Sequence, residues 1–114
     1  MPNPVVHWEI SSREPERLHE FYRNLFGWKI DANNEYKYGV VDTGGEGING
    51  GIGGGVDQPA DVVFYVQVDD LQQYLDRARE MGAKVLMTPT EIPGAVTMAQ
   101  FEDPEGHRVG LIKG

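Results

Sequence analysis

The chain has no cysteine. That absence excludes disulfides, thiolate nucleophiles and cysteine zinc sites together, and it agrees with a cytoplasmic address. Long apolar runs are also missing. Nothing approaches the roughly 20 apolar residues of a membrane span, and the N-terminus lacks the basic-then-apolar order of a secretory signal. Basic residues are scarce: 10 Lys and Arg stand against 18 Asp and Glu, a formal net charge of −8. Nucleic acid and anionic membrane are therefore excluded as expected partners, whereas a cationic ligand would suit the field. No serine or threonine stands in a nucleophile setting, so a serine–histidine hydrolase has no support. The run GGEGINGGIGGG (44–55) contains G-x-G-x-x-G at Gly45, Gly47 and Gly50. More glycines follow it and no helix start does, which excludes a dinucleotide-binding turn. Those glycines instead permit a tight hairpin and a strand whose backbone is closely approached.

What is present is a duplication. The 114 residues, 39% of them hydrophobic, suit one compact domain. In SSREPERLHEFYRNLFG the apolar residues Leu18, Phe21, Tyr22, Leu25 and Phe26 recur at helical spacing. Ser11 and Glu14 have the spacing of a capping box, Pro15 suits a first turn, and Gly27 suits the exit. In DDLQQYLDRAREMG the stripe is Leu71, Tyr74, Leu75, Ala78 and Met81, capped by Asp69 or Asp70 and ended by Gly82. VVHWEI precedes the first helix and VVFYVQV the second; GWKI follows the first and GAKV the second. Further strands are expected in YKYGVVDTG, INGGI, AVTMAQFED and HRVGLIK. Each half thus reads as β-α-β-β-β, module 1 over about 4–55 and module 2 over about 60–113 of a single domain 1–114, joined by GGGVDQPAD (53–61). The fold class is α+β: two βαβββ modules whose curved mixed sheets surround a cavity fit for a small molecule.

Strand alternation selects the candidates for that cavity. His7 and Glu9 share a face opposite Trp8 and Ile10. The pair reads first as an ordinary polar sheet face, next as a ligand-binding or acid–base pair, and last as part of a metal site. On the second module's first strand, Val63, Tyr65 and Gln67 share the inward face, with Phe64, Val66 and Val68 against the helix. Arg108 and Gly110 share a face of the last strand, and Arg108 is a candidate for an anion. The bare backbone at Gly50, Gly51 and Gly110 is expected to enlarge the cavity. His19 and His107 read as surface histidines, and DPEG (103–106) as a turn.

FYRNLFGW (21–28), VDDLQ (68–72) and DPEGHRVGL (103–111), in that order, resemble the vicinal oxygen chelate superfamily of glyoxalases, bleomycin resistance proteins and dioxygenases. The resemblance implies paired βαβββ modules, a homodimer, and in catalytic members a divalent metal held by His, Glu or Gln. Carried over residue by residue, the ligand positions fall on His7, Gly51, Val63 and Gly110. Only His7 has a donor side chain, so no metal and no other cofactor is expected. The expected function is metal-free binding of a small organic molecule, with a cationic aromatic favoured. His7, Glu9, Tyr65, Gln67, Arg108, Gly51 and Gly110 would line the site, and His7 and Glu9 are the catalytic candidates if there is chemistry. Two alternatives remain: a metal-dependent lyase, isomerase or dioxygenase with a non-standard ligand set, and an interaction module without a small ligand.

Overall fold

A computed structural model describes residues 2–55, 59–92 and 96–114. The middle of the 53–61 connection and the start of the AVTMAQFED segment lie outside the described residues. The elements run β1 (Val5–Ser12), α1 (Pro15–Phe26), β2 (Lys29–Asp31), β3 (Gly39–Asp42), β4 (Gly50–Gly54), β5 (Asp61–Val68), α2 (Leu71–Glu80), β6 (Lys84–Glu91), β7 (Thr97–Glu102) and β8 (Arg108–Lys113). This is βαβββ twice, the mixed α+β fold read from the repeat.

The chain divides into two compact units, one of His7–Val63, the other of Phe64–Gly114 with the segment up to Val6. The division falls inside β1 and β5. In the first unit the strands are ordered β2-β3-β4-β1. β1 runs parallel to β4, with Glu9 opposite Gly51 and Ile10 opposite Ile52, while β3 is antiparallel to both β2 and β4. The second unit repeats the arrangement as β5-β8-β7-β6. There Tyr65 lies opposite Gly110 and Val66 opposite Leu111. Glu9 with Gly51 and Tyr65 with Gly110 are therefore the same place in two copies of one unit.

Each sheet packs one face on its helix. In the first unit Ile30, Val41 and Ile52 form the buried centre, joined by Trp8, Ile10, Leu18, Tyr22 and Trp28. In the second, Val68, Leu71, Leu75, Ala99 and Leu111 do so, joined by Val66, Tyr74, Val85 and Phe101. α2 begins as its sequence indicates, with the Asp70 carboxylate accepting from the Gln73 N–H at 3.1 Å. Gly27 closes α1 in the left-handed conformation, φ 70°, which its missing Cβ makes inexpensive.

Four expectations are corrected. The capping box at Ser11 does not form, because β1 continues through Ser12 and Glu14 becomes the N-cap residue with no side-chain cap. The stripe of α1 is rotated: Leu18 and Tyr22 face the sheet, but Phe21, Leu25 and Phe26 are 53–58% exposed. His19 takes the vacated inward direction. It is buried, not a surface residue, and its Nε2 lies 2.9 Å from the Ile52 carbonyl oxygen, which fixes the proton on that nitrogen. Gly39 leaves room for this imidazole, since a Cβ there would strike it. Phe64, expected against the helix, is exposed.

Candidate functional site

The His7–Glu9 face of β1 acquires a partner that alternation does not supply. Tyr38, in the loop just ahead of β3, reaches across β4 and donates its hydroxyl to Glu9 Oε2 at 3.0 Å. The Tyr38 hydroxyl oxygen also lies 3.5 Å from His7 Nε2. The loop is tied down at its base: Asn34 accepts from the Tyr38 N–H at 2.9 Å and donates to the Tyr38 carbonyl at 2.7 Å. The ring then lies flat over β4. A Cβ at Gly51 would fall inside it, and a Cβ at Gly53 would stand 2.6 Å from Cδ1. Two glycines at alternate positions on one strand thus form the seat of a tyrosine ring.

Beside this ring is a pocket of about 260 Å³ lined by Glu9, Ile10, Ser11, Tyr38, Gly53 and Gly54. His7 is half-buried, and burial holds its imidazole below its ordinary value, with the nearby Glu9 charge opposing the shift. At neutral pH it is a neutral imidazole, able to accept a proton or a hydrogen bond.

The second unit carries a parallel group with different chemistry. Tyr65 is fully buried, and a Cβ at Gly110 would strike its ring. Gln100 Nε2 donates to the Tyr65 hydroxyl at 2.8 Å, and Arg108 Nη1 donates to Gln100 Oε1 at 3.1 Å. Of the residues singled out in the sequence, the structure therefore gathers His7, Glu9 and Gly51 around Tyr38, and Tyr65, Arg108 and Gly110 around Gln100. Gln67 stands apart from that second group. It lines a pocket of about 390 Å³ with Asn3, Pro4, Asp69, Tyr74 and Gly114.

The expected room at the glycines is absent. Trp8 occupies the place of a side chain at Gly50, Tyr38 that at Gly51, and Tyr65 that at Gly110. These contacts also bear on a divalent metal. Among the described residues no three His, Cys, Asp or Glu side chains come together. At two of the implied ligand positions the space a ligand would need is filled by aromatic carbon. The donor set does not fit a resident divalent ion, which needs several converging oxygen or nitrogen donors.

Two participants escaped the sequence reading. Tyr38 could have been found from the alternate glycines at 51 and 53, which mark a strand face covered by something large. Gln100 could have been found as a polar residue between Ala99 and Phe101 in a strand otherwise rich in apolar residues.

Paired βαβββ units with this side-chain pattern define a class, and the comparisons identify it. Residues 5–111 match the family model of the Glyoxalase/Bleomycin resistance protein/Dioxygenase superfamily. The chain belongs to that superfamily. A curated relative from Mycobacterium bovis, named "Putative glyoxylase CFP32", is 27% identical over 111 residues, covering 90% of this chain and 42% of its own length. The chain thus spans less than half of that relative. Among solved structures, hypothetical protein BH1468 from Bacillus halodurans superposes with a TM-score of 0.75 at 9% identity, over 100% of this chain and 96% of that one. Methylmalonyl-CoA epimerase from Mycobacterium tuberculosis gives 0.71 at 13% identity, over 96% and 86%. At such identities the likeness is one of fold. No helix among the described residues is long and apolar enough to cross a membrane.

Proposed function

We propose that the protein binds a small organic molecule against the His7–Glu9–Tyr38 group and does so without a divalent metal. The observation that carries this is the Tyr38 ring, seated on Gly51 and Gly53 and tethered to Glu9 at the edge of a pocket. A flat aromatic wall, one carboxylate and one neutral imidazole are the few fixed polar and apolar elements that small-ligand sites use. Glu9 and the net charge of −8 favour a cation, and the ring favours an aromatic body. The protein works as a homodimer in this reading, through the exposed outer face of α1.

The test is thermal stabilisation by a panel of cationic, neutral and anionic amphipathic aromatics. At one hundred times the dissociation constant, linkage gives about 2.7 kcal/mol of added stability. Cationic hits should weaken in Glu9→Gln more than neutral hits of like shape, and all should weaken in Tyr38→Ala. A panel without hits would favour an interaction module. Hits indifferent to both substitutions would place the ligand elsewhere. About one metal per chain in protein purified without chelator, lost in His7→Ala, would overturn the metal-free part.

One observation favours chemistry as well as binding, namely the His7 imidazole held neutral by burial. Such a group can take a proton from a bound ligand's acidic C–H, as a general base whose pKa lies near or below the working pH. Exchange of a hit's proton for deuterium in D2O, lost in His7→Ala, would establish it.

A further inference from the structure

The two units differ most in the layer between helix and sheet. In the first, Trp28 and Tyr22 fill that layer, their rings stacked with centroids 5.2 Å apart, and Trp28 also meets Trp8 at 5.4 Å. The second unit follows the same plan. The paired positions Ile10–Ile52 correspond to Val66–Leu111. On the helices, Leu18 and Tyr22 correspond to Tyr74 and Ala78, both 56 residues on. Ahead of the next strand, Trp28 corresponds to Ala83, each immediately before a Lys. Two large rings are thus replaced by two methyl groups. Two rings return from other directions, Tyr74 on the helix where Leu18 stands and Phe101 on β7 where Val41 stands on β3, and neither covers the places of Ala78 and Ala83. The remainder is a pocket of about 350 Å³ lined chiefly by Val66, Val68, Ala78, Ala83, Phe101 and Leu111.

The rim is not neutral. Among the described residues Arg77 is the only charged side chain lining the pocket, and its guanidinium lies 5.5 Å above the Tyr74 ring. Asn3 Nδ2 donates to the Tyr74 hydroxyl at 3.0 Å, holding the end of that ring in place. An occupant would meet apolar walls below and a cation at the mouth.

We propose that this pocket between α2 and the sheet of the second unit binds a bicyclic aromatic molecule carrying an anionic substituent, the rings replacing those of Trp28 and Tyr22 and the anion meeting Arg77. The volume is at the low end of small-molecule sites, enough for one fused ring system. The occupant differs in charge from the one proposed at Glu9, and the pocket is built from other residues, so the two readings stand or fall separately.

Indole-3-acetate, indole and tryptamine are suitable probes, titrated against the whole chain with amide chemical shifts as the readout. The expected result is saturable shifts confined to α2, Ala83 and the ends of β5, β7 and β8 that line the pocket. Indole-3-acetate should bind about threefold more tightly than indole, the scale of an exposed ion pair, and tryptamine should bind least. Arg77→Gln should equalise the first two. Ala83→Trp, which restores the missing indole, should weaken all three by about tenfold or more. If that variant misfolds, Ala78→Met serves, since it fills the same space from the helix. Tyr38→Ala should leave the titration unchanged. No saturable shift in the wild type, shifts centred on residues 7–63, or full binding by a folded filled variant would each overturn the proposal.

Discussion

The seating of Tyr38 on β4 can be tested by filling the seat. In Gly51→Ala the new methyl falls inside the ring, and no rotation of one side chain around the other accommodates both. The ring must leave. Its departure breaks the bond to Glu9, a hydrogen bond to a charged group worth about 1.5–3 kcal/mol where buried and less at this half-buried place. It also exposes apolar carbon that now lies against backbone. Against this, alanine in a strand is favoured over glycine by about 0.5–1 kcal/mol. The net cost should be about 1–3 kcal/mol, the range of overpacked positions. Tyr38→Ala should cost a similar amount by removing the same contacts directly. The informative measurement is the double variant. With the ring already gone, the three atoms nearest the methyl at position 51 are gone with it, so Gly51→Ala should become neutral or slightly stabilising in the Tyr38→Ala background. Urea denaturation of the four proteins gives the cycle, with equal m-values required for comparison. Costs that add to within about 0.5 kcal/mol would show that the ring and the glycine are not in contact, and the seat would not exist.

His7 gives a pH prediction. Its folded-state pKa is depressed by burial. As pH falls below about 6.5, the unfolded chain therefore binds the proton first, so this contribution to stability is complete above about 6.5 and lost as pH drops through the folded value. Urea midpoints between pH 5 and 7.5 should fall more gently in His7→Gln than in the wild type; parallel profiles would refute it. Asp103, also depressed, through hydrogen bonds from the His107 and Glu105 N–H groups, acts in a separate window below about 3.8 and does not confound the measurement. Gln100→Leu should cost about 1–3 kcal/mol, because the buried Tyr65 hydroxyl loses a donor, and an unchanged midpoint would show the link to be idle. Light scattering should give a dimer mass that Leu25→Glu reduces to a monomer, since Leu25, Phe21 and Phe26 form an exposed apolar face; a monomer for the wild type at all concentrations would refute it.

The duplication was legible because it rests on local signals: two helical periodicities, two glycine exits and the GWKI and GAKV echoes each act within a few residues. The faces of β1 were legible for the same reason, since alternation is a backbone property. What failed was whatever depended on contacts between distant segments. The amphipathic stripe of α1 spreads wide enough for several rotations, and only the sheet beneath it selects the one with His19 inward. The glycines at 51 and 110 read as open space because an absent side chain does not reveal which neighbour will enter. Tyr38 and Tyr65 enter from different directions, one from a loop and one from the strand itself, so even the repeat could not forecast one from the other.

Both tryptophans, Trp8 and Trp28, belong to the first unit, their ring centroids 5.4 Å apart, with Trp28 stacked on Tyr22 and tilted against Phe26. Intrinsic indole emission therefore reports on residues 7–63 alone, and the other half of the molecule is dark at that wavelength. Far-ultraviolet circular dichroism samples both halves. A protein whose emission and ellipticity change together on heating would be melting as one cooperative body; a lag between them would time the loss of one half against the other without any label.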